Sequence, residues 1–554
     1  MSDANAADQN QAFALLATFL DTTPATAAKP FGMPWLPTAG TLPQFSRLLG
    51  GHRPATILVM GLRSLGQVIF INNPVSGLLL LLALLWQSPV MGFLSALGIA
   101  AANATARVIG CDRSARLNGI YGFNGALVGS AVAAFASFDA APDLLVWSLS
   151  VAAGAALTTL VVESLGRWLL KHLGLPPLTL PFCLVTWLLL AVVMASDHPA
   201  LALVEGAALT PPAAGLASLL PGVVRGFGQV FLCPSLSSAV LVLAAVAAAS
   251  PLAALSGLAG GLVSSLTALG MGMDPVAVSL GLGSYNGVLT AIAVGGTFYA
   301  ASRVSLVIAL LAAAASALVT PALAGALSSA SLPLLTIPFV LATMATMLAL
   351  RRALPSLLPV ALHSVLTPEE HRQRLIVARS LLRDFRHQLR RAVAGERRAA
   401  LLPLAEPAQR QQLQELFHDL DRDGNGSLNV AELATGLLRR QTGSLSETAN
   451  RQRFLQLRDV LKRMDLDGDG QVDPDEFAEL MLRLRRLHEG HERLLTYLGP
   501  VDADGNEQLD GAELDRLLAS VGQPPLDRHE RQSLFGDEGG GLSWNRFIHQ
   551  LLLT

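Results

Sequence analysis

The chain has 554 residues, a formal net charge of −2 and a mean hydropathy of +0.48. Of its 80 Asp, Glu, Lys and Arg residues, 15 fall between 55 and 350 and 59 between 351 and 554. So little charge in the longer block excludes an ordinary soluble core and predicts a polytopic membrane domain followed by a charged soluble region, with no basic excess to suggest nucleic acid.

Residues 1–54 read as a lead-in, irregular from 21 onward; Asp3 and Asp8 stand without a basic flank, so no cleavable signal peptide is expected. From there the sequence is written twice. RSLGQV at 63–68 returns as RGFGQV at 225–230, Ser88-Pro89 as Ser250-Pro251, and YGFNGALVG at 121–129 as GSYNGVLTA at 283–291. All three keep an offset of 162, whereas LTLPF at 178–182 and LTIPF at 335–339 lie 157 apart. Duplicated membrane halves are the signature of a transporter or channel whose solute site lies between the repeats.

Apolar runs predict five crossings in each half, within 60–197 and 222–352 of a domain spanning 55–352. An odd number turns the second half upside down relative to the first. Basic residues agree: with a cytoplasmic N-terminus, Arg107, Arg113 and Arg116, then Arg167 and Lys171, Arg303, and Arg351 and Arg352 all fall inside. The segments at about 60–71 and 222–233 are too short and polar to span, and read as re-entrant half-helices. Arg63 and Arg225 are expected to snorkel there, anchoring the half-helices at the interface.

In GQVIFINNPVSG at 66–77, GIYGFNGALVG at 119–129, LTLPF at 178–182 and their counterparts, residues 55–350 resemble the urea transporter family. The resemblance implies a homotrimer of ten-helix protomers, each with its own passive, channel-like pore lined by two re-entrant half-helices. Urea has four N–H bonds to donate and one carbonyl to accept, so it needs acceptors spaced along a flat, otherwise apolar slot. Gln67 and Gln229 supply amide oxygens at equivalent points, and Thr179 and Thr336 supply hydroxyls two residues before repeated prolines. Phe70 is expected to press on the solute face, as slot phenylalanines do in the family, although Leu232 holds the matching place in the second half. Leu127 and Leu289 are candidates for apolar lining. Asn124 and Asn286, flanked by glycine, are expected to hold a helix break together. The buried cysteines, Cys183 and Cys233, read as small hydrophobes.

The segment 353–400 carries a basic amphipathic helix opened by Thr367-Pro368-Glu369-Glu370. Its expected apolar stripe is Leu375, Ile376, Leu381, Leu382, Phe385 and Leu389. Such a helix suits anionic lipid, or the grip of a calmodulin-type domain around 370–392.

Residues 405–554 supply that domain. DRDGNGSLNVAE at 421–432 places Asp421, Asp423, Asn425, Ser427, Asn429 and Glu432 at the ligand positions of a twelve-residue calcium loop, with Gly426 at its turn. DLDGDGQVDPDE at 465–476 repeats this with Asp465, Asp467, Asp469, Gln471, Asp473 and Glu476. A third loop at 502–513 offers Asp502, Asp504, Asn506, Gln508, Asp510 and Glu513, weakened by Glu507 where glycine belongs. A fourth, at 535–546, has Phe535 and Arg546 in place of the first and last ligands and is expected to bind nothing. Four hands in two pairs resemble the calmodulin superfamily.

The fold expected is thus all-α: ten transmembrane helices as two inverted five-helix repeats with two re-entrant half-helices, then a cytoplasmic EF-hand domain. The function expected is passive urea transport across a bacterial inner membrane, modulated by calcium, with both termini cytoplasmic. Alternatives are a channel for short amides, ammonia or water, and a membrane-anchored calcium sensor. No nucleophile–base pair or phosphate loop suggests an enzyme.

Overall fold

The computed structural model describes residues 36–43, 52–138, 141–196, 201–204, 218–354, 357, 366–393, 402–405, 407–429, 432, 471–479, 481–482, 508–520, 523–535 and 541–543. The chain divides into two compact units, Phe31–Leu375 and one made of Ile376–Thr554.

The described residues of the first unit are mostly helical, as suits a chain in lipid that must satisfy its own backbone, with one isolated antiparallel bridge between Ala136 and Leu203. Four helical stretches are long and apolar enough to cross a bilayer: Pro89–Val108, Asp143–Leu173, Pro251–Gly270 and Arg303–Ser328. Shorter apolar helices run over Pro74–Gln87, Gly122–Phe135, Leu180–Met194, Leu236–Ala249 and Ile337–Ala353. Tyr285–Ile292, extended by a π-helical turn at Ala293–Thr297, completes the set. Together they make the multi-pass membrane domain that the charge distribution predicts.

Proline sets several starts. Pro74, Pro89 and Pro251 occupy first-turn positions, where a missing N–H costs nothing. Asn73 and Ser250 cap the first and third of these helices by accepting from the backbone N–H of Val75 and Ser76, and of Ala253.

Glycine sets the closest crossings. A Cβ on Gly98 would lie 2.1 Å from the carbonyl oxygen of Gly125, so Pro89–Val108 and Gly122–Phe135 meet backbone to backbone. The same contact recurs at an offset of 162: a Cβ on Gly260 would lie 2.6 Å from the Gly287 oxygen. Gly98→Ala is therefore expected to destabilise the protein by about 1–3 kcal/mol, because the crossing must open to admit one methyl. Thermal unfolding in detergent reads this directly; an unchanged midpoint would show that the crossing is loose.

The short segments before each half form helices at Arg53–Gln67 and Leu219–Gln229. The first begins seven residues earlier than its polar character suggests, because Pro54 is a good first-turn residue and the apolar run 57–60 continues the helix. Arg63 corrects the expectation of a snorkelling anchor: only 3% exposed, it turns inward, and its guanidinium donates to the carbonyl oxygen and Oδ1 of Asn72 at 2.9 and 2.8 Å. Arg225 donates to the Ser279 carbonyl at 3.0 Å. Glu163, in a π-helical turn at Val162–Gly166, pairs with Arg167 just beyond it and also accepts from the Tyr121 hydroxyl at 2.6 Å.

In the second unit, helix Pro407–Leu420 buries Leu413, Leu416, Phe417 and Leu420. The rings of Phe417 and Phe477 meet edge to face at 5.7 Å. Leu428 and Val472, each the eighth residue of its calcium loop, pair as an antiparallel bridge; Gln508–Leu509 pairs likewise with Leu542–Ser543. These loop-to-loop bridges are how paired hands hold one another. Leu509 and Leu542 are again eighth residues, so the loop aligned at 535–546 has the expected packing position.

The helix Pro368–Val393 runs from the first unit into the second. Leu375, Leu382, Phe385 and Leu389 are buried as expected, whereas Ile376 is 59% exposed, because adjacent positions on a helix point about 100° apart. Leu381 lies outside the residues whose side chains are described. Within the second unit Arg386 is buried and bonds both carboxylate oxygens of Glu530, at 3.0 and 2.9 Å, while Arg390 adds a third contact at 3.1 Å. Burial makes such a fork specific, since either partner left alone would be an uncompensated charge.

Candidate functional site

The helices Arg53–Gln67 and Leu219–Gln229 end in the same way. Gln67 is the last helical residue of the first, and its Nε2 donates to the backbone oxygen of Asn118 at 3.0 Å. Gln229 ends the second, donating from Nε2 to the backbone oxygen of Leu280 at 2.9 Å. Asn118 and Leu280 are themselves 162 apart. Because each amide nitrogen is committed to the protein, the amide oxygen is turned the other way, and among the described residues it takes no donor.

Three residues on, Phe70 and Leu232 have φ of 63° and 59°. Side chains rarely adopt this left-handed conformation, so both positions are held by their surroundings. In each half the chain doubles back into its own helix end: the backbone N–H of Ile71 and Cys233 donates to the oxygen of Gly66 and Gly228, at 2.8 and 3.0 Å. Phe70 then stands edge to face with Phe298 at 5.6 Å and Phe339 at 5.9 Å.

Thr179 and Thr336 come together. Their hydroxyl oxygens are 2.6 Å apart and buried, although 157 residues separate them. Each follows a left-handed leucine, Leu178 at φ 51° and Leu335 at φ 48°, and each is the N-cap of a helix with proline in its first turn. Cys183 Sγ lies 3.4 Å from the Thr336 hydroxyl, so this thiol touches a candidate site residue as well as filling space. Asn124 Oδ1 accepts from the backbone N–H of Phe182 at 3.2 Å, and Asn286 Oδ1 from that of Phe339 at 3.3 Å. Both therefore satisfy otherwise orphaned donors at helix starts, the structural role expected of them. Leu127 and Leu289 are fully buried in the apolar core around these groups.

Some participants were not visible in the sequence. The carbonyls of Asn118 and Leu280 serve through the backbone, so unlike side chains occupy the two positions. Phe298 has Ala136 at the matching place of the first half, so duplication gives no hint of it; it immediately follows the π-helical turn.

In the first calcium loop, Gly424 and Gly426 have φ of 69° and 79°, letting backbone N–H groups point inward. Asp421 accepts from both glycines at 2.9 Å, and Asn425 Oδ1 from Ser427 at 2.8 Å. Ligand oxygens of Asp421, Asp423 and Glu432 all lie within 4.8 Å of one another. An oxygen-only, acidic and strongly turned cradle fits calcium. Glu476 and Glu513 sit like Glu432, each accepting from the backbone N–H three residues before it, at 3.2 and 3.1 Å. Gln471 and Gln508 lie at their expected loop positions, whereas Asp465, Asp467, Asp469, Asp502, Asp504 and Asn506 lie outside the described residues.

Comparison with known proteins matches a part of each unit. Residues 410–482 match the EF-hand domain pair. Sheep urea transporter 1 is 29% identical over 320 residues, covering 56% of this chain and 81% of the relative. Mouse urea transporter 1 is 28% identical over 348 residues, covering 60% and 87%. The urea transporter family itself is matched over residues 58–351, more than half of the sequence, and the chain belongs to this family of non-enzymatic transporters.

Proposed function

We propose that the protein conducts urea passively through a slot between two inverted five-helix repeats, and that calcium binding to its C-terminal hands modulates the conduction. The observation that carries the first part is the pair of glutamines, each with its nitrogen tied to a repeat-equivalent carbonyl and its oxygen released. Two acceptors at related depths suit a molecule with N–H groups at both ends. The threonine pair supplies hydroxyls that both donate and accept, so it can serve the urea carbonyl and its N–H groups alike. Phe70, Phe298 and Phe339, with Leu127 and Leu289, make the surroundings apolar, which penalises ions that cannot shed water. Amides, hydroxyls and rings do not titrate near neutrality, which favours conduction over proton-coupled uptake. The resemblance to the family further implies a homotrimer of ten-helix protomers, while the parity of the crossings and the basic loops put both termini in the cytoplasm, for which an inner membrane is the proposed setting.

Calcium modulation is supported by the buried fork between Arg386 and Glu530. It places the connector helix in contact with the acidic turn that opens the fourth hand, within one compact unit. Stopped-flow swelling of proteoliposomes, with urea, short amides and water as solutes and calcium set at two levels, tests both parts. Urea is expected to pass fastest, with a rate that differs between calcium levels. Equal rates at both levels would reduce the hands to a buffer, and no solute passage at all would favour a membrane-anchored calcium sensor.

A further inference from the structure

The two glutamines are anchored alike, yet among the described residues only the first has a polar chain behind its anchor. Asn118, whose carbonyl holds Gln67, accepts through Oδ1 from Asn72 Nδ2 at 3.0 Å. Asn72 in turn accepts twice from Arg63 Nη1, and Arg63 Nη2 donates to the Thr41 carbonyl at 3.0 Å. The backbone N–H and hydroxyl of Thr41 both donate to one oxygen of Glu370 at 3.0 Å. The other oxygen of Glu370 accepts from the backbone N–H of Thr367 at 2.9 Å, closing the start of helix Pro368–Val393. Beside it Glu369 accepts from the Ser250 hydroxyl at 2.6 Å and the Leu252 N–H at 2.8 Å. Arg63, Asn72, Thr41, Glu369 and Glu370 are each no more than 8% exposed.

Among the described residues the second half shows no such chain. Pro234 and Ser235 stand where Asn72 and Asn73 would, Leu280 stands for Asn118, and Arg225 bonds the Ser279 carbonyl directly. Holding a glutamine at the end of a half-helix therefore does not require the extra groups. Burying an arginine and two glutamates is costly, and such networks persist where they fix one geometry.

We propose that Glu370 is a positioning residue for the Gln67 carboxamide, acting through Thr41, Arg63, Asn72 and Asn118. The inference rests on the reading of Gln67 as a solute acceptor. The first turn of the connector helix thereby sets the orientation of one acceptor while leaving the other fixed.

The test uses the full-length protein in liposomes, with urea and acetamide fluxes measured on the same preparation. Acetamide has two N–H donors against urea's four, so a displaced acceptor costs urea more, whereas loss of folded protein lowers both fluxes equally. Glu370→Gln leaves one acceptor oxygen in place of two, so Thr41 and Thr367 can no longer both be held; Asn72→Asp keeps the acceptors for Arg63 but removes the single donor to Asn118. Each is expected to lower the urea-to-acetamide ratio by about three- to tenfold, and neither to lower it further in a Gln67→Ala background, as expected for groups acting as one unit. An unchanged ratio in both variants, with Gln67→Ala lowering it, overturns the positioning chain and leaves the slot intact. Losses that multiply with Gln67→Ala also overturn it. No effect of Gln67→Ala removes the acceptor reading and this inference with it.

Discussion

Replacing Gln67 by leucine is expected to cut urea permeation at least tenfold while leaving the protein folded. Leucine matches glutamine closely in size, so packing at the half-helix end is retained. Lost are the bond from Nε2 to the Asn118 carbonyl and the free amide oxygen. A solute N–H stripped of water and given no acceptor costs about 1–3 kcal/mol, and 1.4 kcal/mol is about a factor of ten in rate. Gln229→Leu should act in the same direction, since its geometry is the same. Proteoliposome swelling normalised to reconstituted protein measures both. Wild-type flux in Gln67→Leu would remove this glutamine from the pore.

Replacing Glu432 by glutamine is expected to weaken calcium binding at the first loop at least tenfold, lowering the high-affinity stoichiometry of the full-length protein by one ion. Glu432 holds the twelfth loop position, which in a calcium loop supplies the bidentate ligand, and glutamine offers one neutral oxygen for two that share a charge. Already in this structure its carboxylate draws the loop together, accepting from the backbone N–H of Arg422 at 3.2 Å and of Asn429 at 3.0 Å. Competition against a calcium-sensitive dye reads the loss. Unaltered stoichiometry and affinity would mean that the loop binds elsewhere or not at all. Under the proposed modulation, the same variant should also narrow the difference in urea flux between low and high calcium.

These two sites were legible to different degrees, for a physical reason. A calcium loop is local: twelve consecutive residues carry the ligands and the turn, so Asp421, Asp423 and Glu432 could be read directly, and the structure brings their oxygens together. The candidate membrane site is distributed. Gln67, Gln229, Thr179 and Thr336 were singled out because duplication marks paired positions, yet nothing in the sequence said that the two threonine hydroxyls would touch. Phe298 escaped because Ala136 holds the matching place in the first half, where the helix Gly122–Phe135 ends without the π-helical turn that precedes Phe298. Arg63 was misread because charge in a membrane segment suggests snorkelling until the buried partners Asn72 and Thr41 are seen.

By itself, the sequence determined a membrane block of apolar segments, its duplication, the residue types at the half-helix ends and the calcium loops. Each of those depends on hydropathy, spacing or local ligand order, which are properties of a one-dimensional string. Only the tertiary structure decided which nitrogen of which amide is tied down, which carbonyls do the tying, and that a buried chain of bonds joins Glu370 to one glutamine and not to the other. Those depend on backbone groups and on residues hundreds of positions apart, whose identity is free to vary as long as an oxygen arrives at the right place.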